Sequence, residues 1–125
     1  MTTLKIVIAG SRAITDYDEL LKALTGAINN NVITRADSFE IISGGARGVD
    51  TLARRYAQEV GYKLVEMKPQ YQHNRDLSAP LRRNIDMANY GDILVAVWDG
   101  KSTGTKHMIA QMQKRGKPVF VHIVG

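Results

Sequence analysis

Apolar runs of strand length alternate with helix-like segments along this chain, and that alternation restricts the folds it can adopt. The runs cover residues 4–9, 39–43, 63–67, 92–98 and 118–123. The segments between them have the spacing of amphipathic helices and cover residues 17–28, 49–60, 80–90 and 103–115. Because strands joined by helical crossovers pair in parallel, we expect a three-layer α/β fold. Its sheet has about five mostly parallel strands, with helices on both faces.

Length and composition favour one domain over residues 1–125, with a single core. The chain has no Cys, no apolar run near membrane-span length, and no room for a signal peptide before its first strand. We therefore expect a cytoplasmic protein with no membrane partner. The net charge of +5 is uneven, since residues 51–125 carry twelve Lys and Arg against six Asp and Glu. That half suits a phosphorylated ligand or a nucleic acid, or it is a solvated surface.

Helical spacing predicts which side chains face the sheet. The first helix is expected to begin after an N-cap at Thr15 or Asp16. Its inward stripe is predicted to contain Leu20, Leu21, Leu24 and Ile28. In the third helix, the side chains predicted to face the sheet are Leu81, Ile85 and Ala88. The run 92–98 is almost wholly apolar, which indicates the centre of the sheet.

A glycine-rich loop follows the second predicted strand. It reads Ser43-Gly44-Gly45-Ala46-Arg47-Gly48-Val49-Asp50 and leads into a helix. Backbone N–H groups at such a helix start attract phosphate, so we expect an anion-binding loop at Ser43, Gly44, Gly45, Ala46 and Gly48. The spacing is neither GxGxxG nor a Walker motif, which disfavours dinucleotide dehydrogenases and P-loop NTPases. Asp50 is either a helix cap or a partner for a ribose hydroxyl.

A second loop of this kind follows the fourth predicted strand. Its candidate ligand-binding residues are Trp98, Asp99, Gly100, Ser102, Thr103, Gly104 and Thr105. Trp98 either stacks on a base or packs in the core. His107, in the first helical turn, either lies near a bound phosphate or belongs to the surface.

Two shorter motifs supply cations at the same edge of the sheet. Gly10, Ser11 and Arg12 end the first strand with a tight turn, a hydroxyl and a guanidinium. Arg83 and Asn84 begin a helix, where an Arg opposes the helix dipole and therefore suggests a binding role.

The long loop 68–79 is a candidate lid. Tyr71, His73 and Arg75 are the residues expected to cover a ligand, with Tyr71 stacking on a base. With three His and no Cys, we expect no metal site, and we expect no cofactor.

Together these blocks resemble the YspA-like branch of the SLOG superfamily, over nearly the whole chain. The resemblance implies a Rossmann-like fold and a pocket for a nucleotide or nucleotide derivative between the two glycine-rich loops. Related phosphoribohydrolases of the lysine-decarboxylase-like group carry a catalytic Glu in a Pro-Gly-Gly-x-Gly-Thr-x-x-Glu pattern. Here Gly104 and Thr105 are followed by Lys106, His107 and Met108, with no Glu. DprA proteins, which bind single-stranded DNA, share the Ser-Gly-x-Ala-Arg-Gly portion.

Three functions follow from this reading. The first is binding of a nucleotide-like small molecule, as a sensor, carrier or sequestering protein, with no catalytic residue. The second is hydrolysis of an N-glycosidic or phosphoester bond, with Asp99, Asp50 or His107 as acid or base. The third is binding of single-stranded DNA by the basic half of the chain. Pairing of two copies through helices to form a homodimer is compatible with each of them.

Overall fold

The computed structural model describes all residues, 1–125, and contains nine elements. The strands are β1 (Thr3–Gly10), β2 (Ser38–Ser43), β3 (Lys63–Glu66), β4 (Ile93–Trp98) and β5 (Val119–Ile123). The helices are α1 (Tyr17–Asn29), α2 (Val49–Val60), α3 (Ala79–Tyr90) and α4 (Thr103–Lys114). Every predicted element is present, and the bounds agree to within a few residues.

The five strands form one sheet in the order β3-β2-β1-β4-β5, and every neighbouring pair is parallel. This confirms the predicted α/β fold. The central strand, however, is β1, and β4 lies beside it, so the central position predicted for the fourth strand is wrong. Both strands are covered on two faces, which explains why their sequences look alike. The chain order reverses between β1 and β4, and in such sheets the crevice beyond that point binds ligands.

The helices cover both faces of the sheet. One core cluster joins α1 and α2 to the sheet through Leu20, Leu24, Leu52 and their neighbours. A second cluster packs Met87 of α3 and Met108 of α4 against the other face. The Rossmann-like three-layer arrangement is therefore confirmed.

The buried faces of α1 and α3 differ from those predicted. In α1 the buried residues are Leu20, Ala23, Leu24 and Ala27, whereas Leu21 and Ile28 are 38% and 56% exposed. In α3 the buried residues are Ala79, Asn84, Met87 and Ala88, whereas Leu81 and Ile85 are exposed. Alanines form part of both buried faces and bring the helices close to the sheet. A helix face predicted from the positions of the larger apolar residues is therefore rotated about the helix axis relative to the face that is buried.

Local signals at the helix ends agree with the structure. Asp16 is the N-cap of α1, and its carboxylate accepts a hydrogen bond of 3.0 Å from the Asp18 N–H. Gly61 ends α2 in the left-handed conformation. None of the four helices combines the length and apolar character that crossing a membrane requires.

Candidate functional site

The loops after β1, β2 and β4 meet at the carboxyl edge of the sheet, as predicted, and enclose a cleft of about 680 Å³ together with the start of α3. Twelve predicted site residues line this cleft: Gly10, Ser11, Arg12, Ala46, Asp50, Arg83, Asn84, Asp99, Ser102, Thr103, Gly104 and Thr105. The six others are Ala9, Leu77, Pro80, Leu81, Met87 and Met108. The sequence analysis does not include these apolar residues in the site, because it places Leu81 in the core and selects site residues by their polar groups or glycines.

Ser11 connects the three loops. It is 1% exposed, and its hydroxyl accepts a 3.1 Å hydrogen bond from the Asp99 N–H. Its own N–H donates to Val97, and its carbonyl accepts from Val49 at the start of α2. The neighbouring Arg12 is exposed, and its guanidinium makes no hydrogen bond within the chain. Ser11 is thus a structural connector, and Arg12 is a cation available to a ligand.

The glycine-rich loop makes room for two arginines. A Cβ on Gly44 would collide with the guanidinium of Arg83, which donates a 2.7 Å hydrogen bond to the Gly44 carbonyl. Gly48 has a φ of +74°, and a Cβ there would collide with the backbone of Arg12. These two glycines are therefore needed where the loop approaches other segments closely, and not only to turn the chain.

Asp50 stabilises this loop from the first turn of α2. The N-cap of α2 is Gly48, so Asp50 is not the helix cap that the sequence allowed. Its carboxylate accepts a 3.0 Å hydrogen bond from the Ala46 N–H and is 8% exposed. Burial raises the pKa of Asp50, against the opposing effects of that N–H group and of Arg83.

Asp99 has a corresponding role in the second loop, from a position directly after β4. Its carboxylate oxygen Oδ1 accepts hydrogen bonds of 2.8 Å from the N–H groups of Lys101 and Ser102. Those bonds, that of Ser102 foremost, lower the pKa of Asp99. Its second oxygen, Oδ2, accepts no hydrogen bond. Asp50 and Asp99 therefore share one cleft with pKa shifts in opposite directions.

The two predicted anion-binding loops are partly closed by these carboxylates. The N–H groups of Ala46, Lys101 and Ser102 already donate to side chains, so they are not open donors as expected. Open donors remain at the start of α4. The N–H groups of Thr103, Gly104 and Thr105 have no acceptor, because the first turn of a helix lacks partners four residues back.

Arg83 lines the cleft and has one open donor. Its Nε donates to Asn84 at 3.0 Å, and its Nη1 donates to Gly44, but its Nη2 has no partner. No buried side-chain nitrogen or oxygen of the protein lacks a partner, so Nη2 is reached by solvent. Burial of the rest of the side chain lowers the pKa of Arg83, and the nearby Asp50 opposes that shift.

Asn84, Trp98 and His107 hold the site together from behind. The Asn84 amide nitrogen contacts the Gly104 carbonyl at 3.2 Å and the His107 ring at 3.1 Å. The Trp98 ring nitrogen donates to the Ser102 carbonyl at 3.0 Å. Neither Trp98 nor His107 lines the cleft, and burial lowers the pKa of His107. The structure therefore places both behind the second loop.

The candidate lid is held by a buried carboxylate. Asp76 is 6% exposed and accepts from the Gln72 N–H, from Ser78 and from Arg82. These contacts, that of Arg82 foremost, hold the pKa of Asp76 well below its usual range. Arg82 thus stabilises this loop through its contacts with Asp76, Ser78 and the Gln70 carbonyl.

The other predicted site residues lie around the cleft. Tyr71, Gly44 and Gly45 line an adjacent groove. Ser43, Gly48, Gly100, His73 and Arg75 line neither cavity. His73 and Arg75 contact each other, through a 3.3 Å hydrogen bond from the Arg75 N–H to the His73 ring. No group of three or more His, Asp and Glu side chains is arranged to hold a metal ion.

Sequence comparisons identify relatives over most of the chain. A family model described as "YspA, cpYpsA-related SLOG family" matches residues 4–73. The Gene 61 protein of Mycobacterium phage D29 is 31% identical over 122 residues, which cover 93% of this chain and 94% of that protein.

Three solved structures share the fold. DNA processing protein A (DprA) from Streptococcus pneumoniae superposes with a TM-score of 0.69 and 18% identity, over 95% of this chain and 50% of that one. DNA processing protein A from Helicobacter pylori, whose structure is described with a single-stranded DNA binding mode, has a TM-score of 0.63 and 24% identity. The match covers 96% of this chain and 65% of that one. The structural-genomics target TM1055 has a TM-score of 0.63 and 21% identity, over 93% of this chain and 72% of that one.

Proposed function

The chain belongs to the YspA, cpYpsA-related SLOG family, and from that premise we propose that its cleft binds a nucleotide or a nucleotide-derived phosphorylated molecule. The protein would act as a sensor, carrier or sequestering protein. The observation that carries the proposal is the meeting of three kinds of open donor in one cleft. These donors are the first N–H groups of α4, the Nη2 of Arg83 and the whole guanidinium of Arg12.

The phosphate would lie at the start of α4. The open N–H groups of Thr103, Gly104 and Thr105 point toward the space in front of the helix, and the helix dipole favours negative charge there. Nothing lies within 4 Å of the position that a Cβ on Gly104 would take, so a ligand can approach this turn. Arg83 would add a charge-assisted hydrogen bond through Nη2.

The rest of the cleft suits a nucleoside. Its volume of about 680 Å³ is in the range of small-molecule sites, roughly 300 to 1,000 Å³. Leu77, Pro80 and Leu81 are apolar lining residues with accessible surface, on which a base can pack. Asp99, with its free Oδ2, can accept a hydrogen bond from a sugar hydroxyl.

A thermal-unfolding screen tests this function. The purified protein is measured with mono-, di- and cyclic nucleotides at increasing concentration. A ligand present at a hundred times its dissociation constant should stabilise the fold by about 2.7 kcal/mol. If no nucleotide raises the unfolding temperature, the proposal fails.

The opposite pKa shifts of Asp50 and Asp99 support a second candidate function, hydrolysis of a nucleotide. A carboxyl with a raised pKa can donate a proton to a leaving group, while an ionised carboxylate activates water. Incubation of the protein with a nucleoside monophosphate should then release a free base or phosphate, and Asp99→Asn should abolish that release. If the nucleotide binds but no product forms, the hydrolase function is excluded and only the binding function remains.

A further inference from the structure

A second cavity adjoins the cleft, and it is strongly basic. We call it the basic groove and define it by its four cationic wall residues, Arg12, Arg47, Lys68 and Arg83. Its volume is about 370 Å³, and it lies between the glycine-rich loop and the residues that follow β3. The proposed mononucleotide site does not need Arg47 or Lys68.

The charges of the two cavities differ. The cleft contains Arg12 and Arg83 but also Asp50 and Asp99, so its charges balance. The basic groove has no carboxylate in its wall, and none of its four cations forms an ion pair within the chain. Four positive charges around one concavity repel one another, and an anionic group bound there would relieve the repulsion.

Two of these cationic side chains contact the glycine-rich loop. The Lys68 side chain lies directly over Gly45, where a Cβ would come within 2.9 Å of the Lys68 Cγ. Arg83 is anchored by its hydrogen bond to the Gly44 carbonyl. The basic groove therefore contains one anchored guanidinium, and a lysine whose aliphatic part lies against the glycine-rich loop.

The basic groove and the cleft are adjacent and share part of their walls. Arg12, Ala46 and Arg83 belong to the walls of both cavities. Tyr71 also lines the basic groove, where it is 60% exposed and presents an aromatic ring. An exposed aromatic beside a cationic groove is a common platform for a stacked base.

We propose that the ligand contains two nucleoside units joined through phosphate, with the first unit in the cleft and the second in the basic groove. The joining phosphate lies in the basic groove beside Arg12, Arg47 and Lys68, and the second base stacks on Tyr71. This inference rests on the proposed nucleotide-binding function. The same chemistry occurs in a free dinucleotide and at two successive positions of a single strand.

Titration calorimetry with three probes tests the inference. The probes are adenosine monophosphate, a 5′-phosphorylated adenine dinucleotide, and single-stranded deoxyadenosine oligomers of increasing length. The dinucleotide should bind roughly tenfold more tightly than the monophosphate, because stacking and the added charge contacts both contribute. Its affinity should also fall more steeply with salt, by about 0.7 in the logarithmic slope for each additional phosphate contact.

Variants of the basic groove separate its contribution from that of the cleft. Arg47→Ala with Lys68→Ala should remove the advantage of the dinucleotide and leave the affinity for the monophosphate unchanged. The matched control, Lys63→Ala with Lys114→Ala, removes the same charge from exposed positions outside both cavities and should change neither affinity. Tyr71→Ala should weaken the dinucleotide alone, and Tyr71→Phe should restore it.

The outcomes distinguish the inference from the function on which it rests. If the monophosphate binds and the dinucleotide binds no more tightly, or if the basic-groove variants change both affinities equally, the inference is overturned and the proposed function stands. If no probe binds, the inference is overturned, and the thermal-unfolding screen then decides the proposed function. Affinity that stops rising at two units identifies a free dinucleotide, and affinity that continues to rise with oligomer length identifies a single strand. Either result supports two-unit recognition.

Discussion

Arg83 donates a 2.7 Å hydrogen bond to the carbonyl oxygen of Gly44, from a helix that begins 35 residues after that glycine. The bond joins α3 to the loop after β2, and it leaves the Nη2 of Arg83 without a partner and accessible to solvent. Arg83 therefore has two functions in this account: it holds the loop and offers a donor to a phosphate.

Replacing Arg83 should weaken nucleotide binding more than it weakens the fold. Arg83→Lys keeps the charge but loses the forked geometry that reaches the Gly44 carbonyl and the ligand together. We expect a loss of about 1.5 to 3 kcal/mol in binding, the usual contribution of a hydrogen bond to a charged group. Calorimetry with adenosine monophosphate measures it. Lys114→Ala, on an exposed part of α4, is the control and should leave binding unchanged.

Gly104→Ala should separate binding from stability. The position is helical, and the new methyl group meets nothing within 4 Å, so the free protein should be no less stable and up to about 1 kcal/mol more stable. The same methyl group would stand in front of the open N–H groups and should weaken nucleotide binding. Chemical denaturation and calorimetry on one preparation compare the two effects. Unchanged nucleotide affinity would place the phosphate elsewhere.

Gly44→Ala should destabilise the protein because its methyl group collides with Arg83. We expect a loss of about 1 to 3 kcal/mol in the free energy of unfolding, typical of overpacking. In an Arg83→Ala background the collision is absent, so the same substitution should cost much less. A double-mutant cycle by denaturant unfolding gives the coupling directly. Additive effects of the two substitutions would contradict the contact between Gly44 and Arg83.

Asp76 should make the stability of the loop 68–78 depend on acid. Its folded-state pKa lies well below its unfolded value of about 3.9, so its ionised form stabilises the fold above that pH. That stabilisation should disappear as the pH falls from about 4 toward the folded-state pKa. Asp76→Asn should therefore unfold at a lower temperature than the natural protein at pH 7, and the difference should shrink below pH 4. Thermal unfolding at several pH values tests this, and a constant difference would count against it.

The sequence predicted the fold and the edge of the sheet that contains the site. Parallel pairing follows from the alternation of elements, and strand order determines where the loops after β1, β2 and β4 converge. Glycines and hydroxyl residues marked those loops without knowledge of the pairing. Twelve of the predicted site residues consequently line one cleft.

Exact loop conformation and the placement of the helices on the sheet account for what was not predicted. Asp50 and Asp99 accept hydrogen bonds from N–H groups of their own loops, and these bonds depend on the exact loop conformation. Burial of Ala23 and Ala27 in place of Ile28 depends on how closely α1 approaches the sheet, which the apolar pattern does not encode. Lys68 follows β3 at the same edge of the sheet, so its position relative to that strand was a usable signal that went unread.

The central claim is that a nucleotide phosphate binds at the first turn of α4. Titration of the ¹⁵N-labelled protein with adenosine monophosphate, followed by amide chemical shifts, tests it at the atoms concerned. The account predicts the largest saturable shifts at the N–H groups of Thr103, Gly104 and Thr105, with no such shift in the Arg83→Ala variant at the same concentrations. Saturable shifts confined to other parts of the surface, or no shifts at millimolar nucleotide, would contradict it.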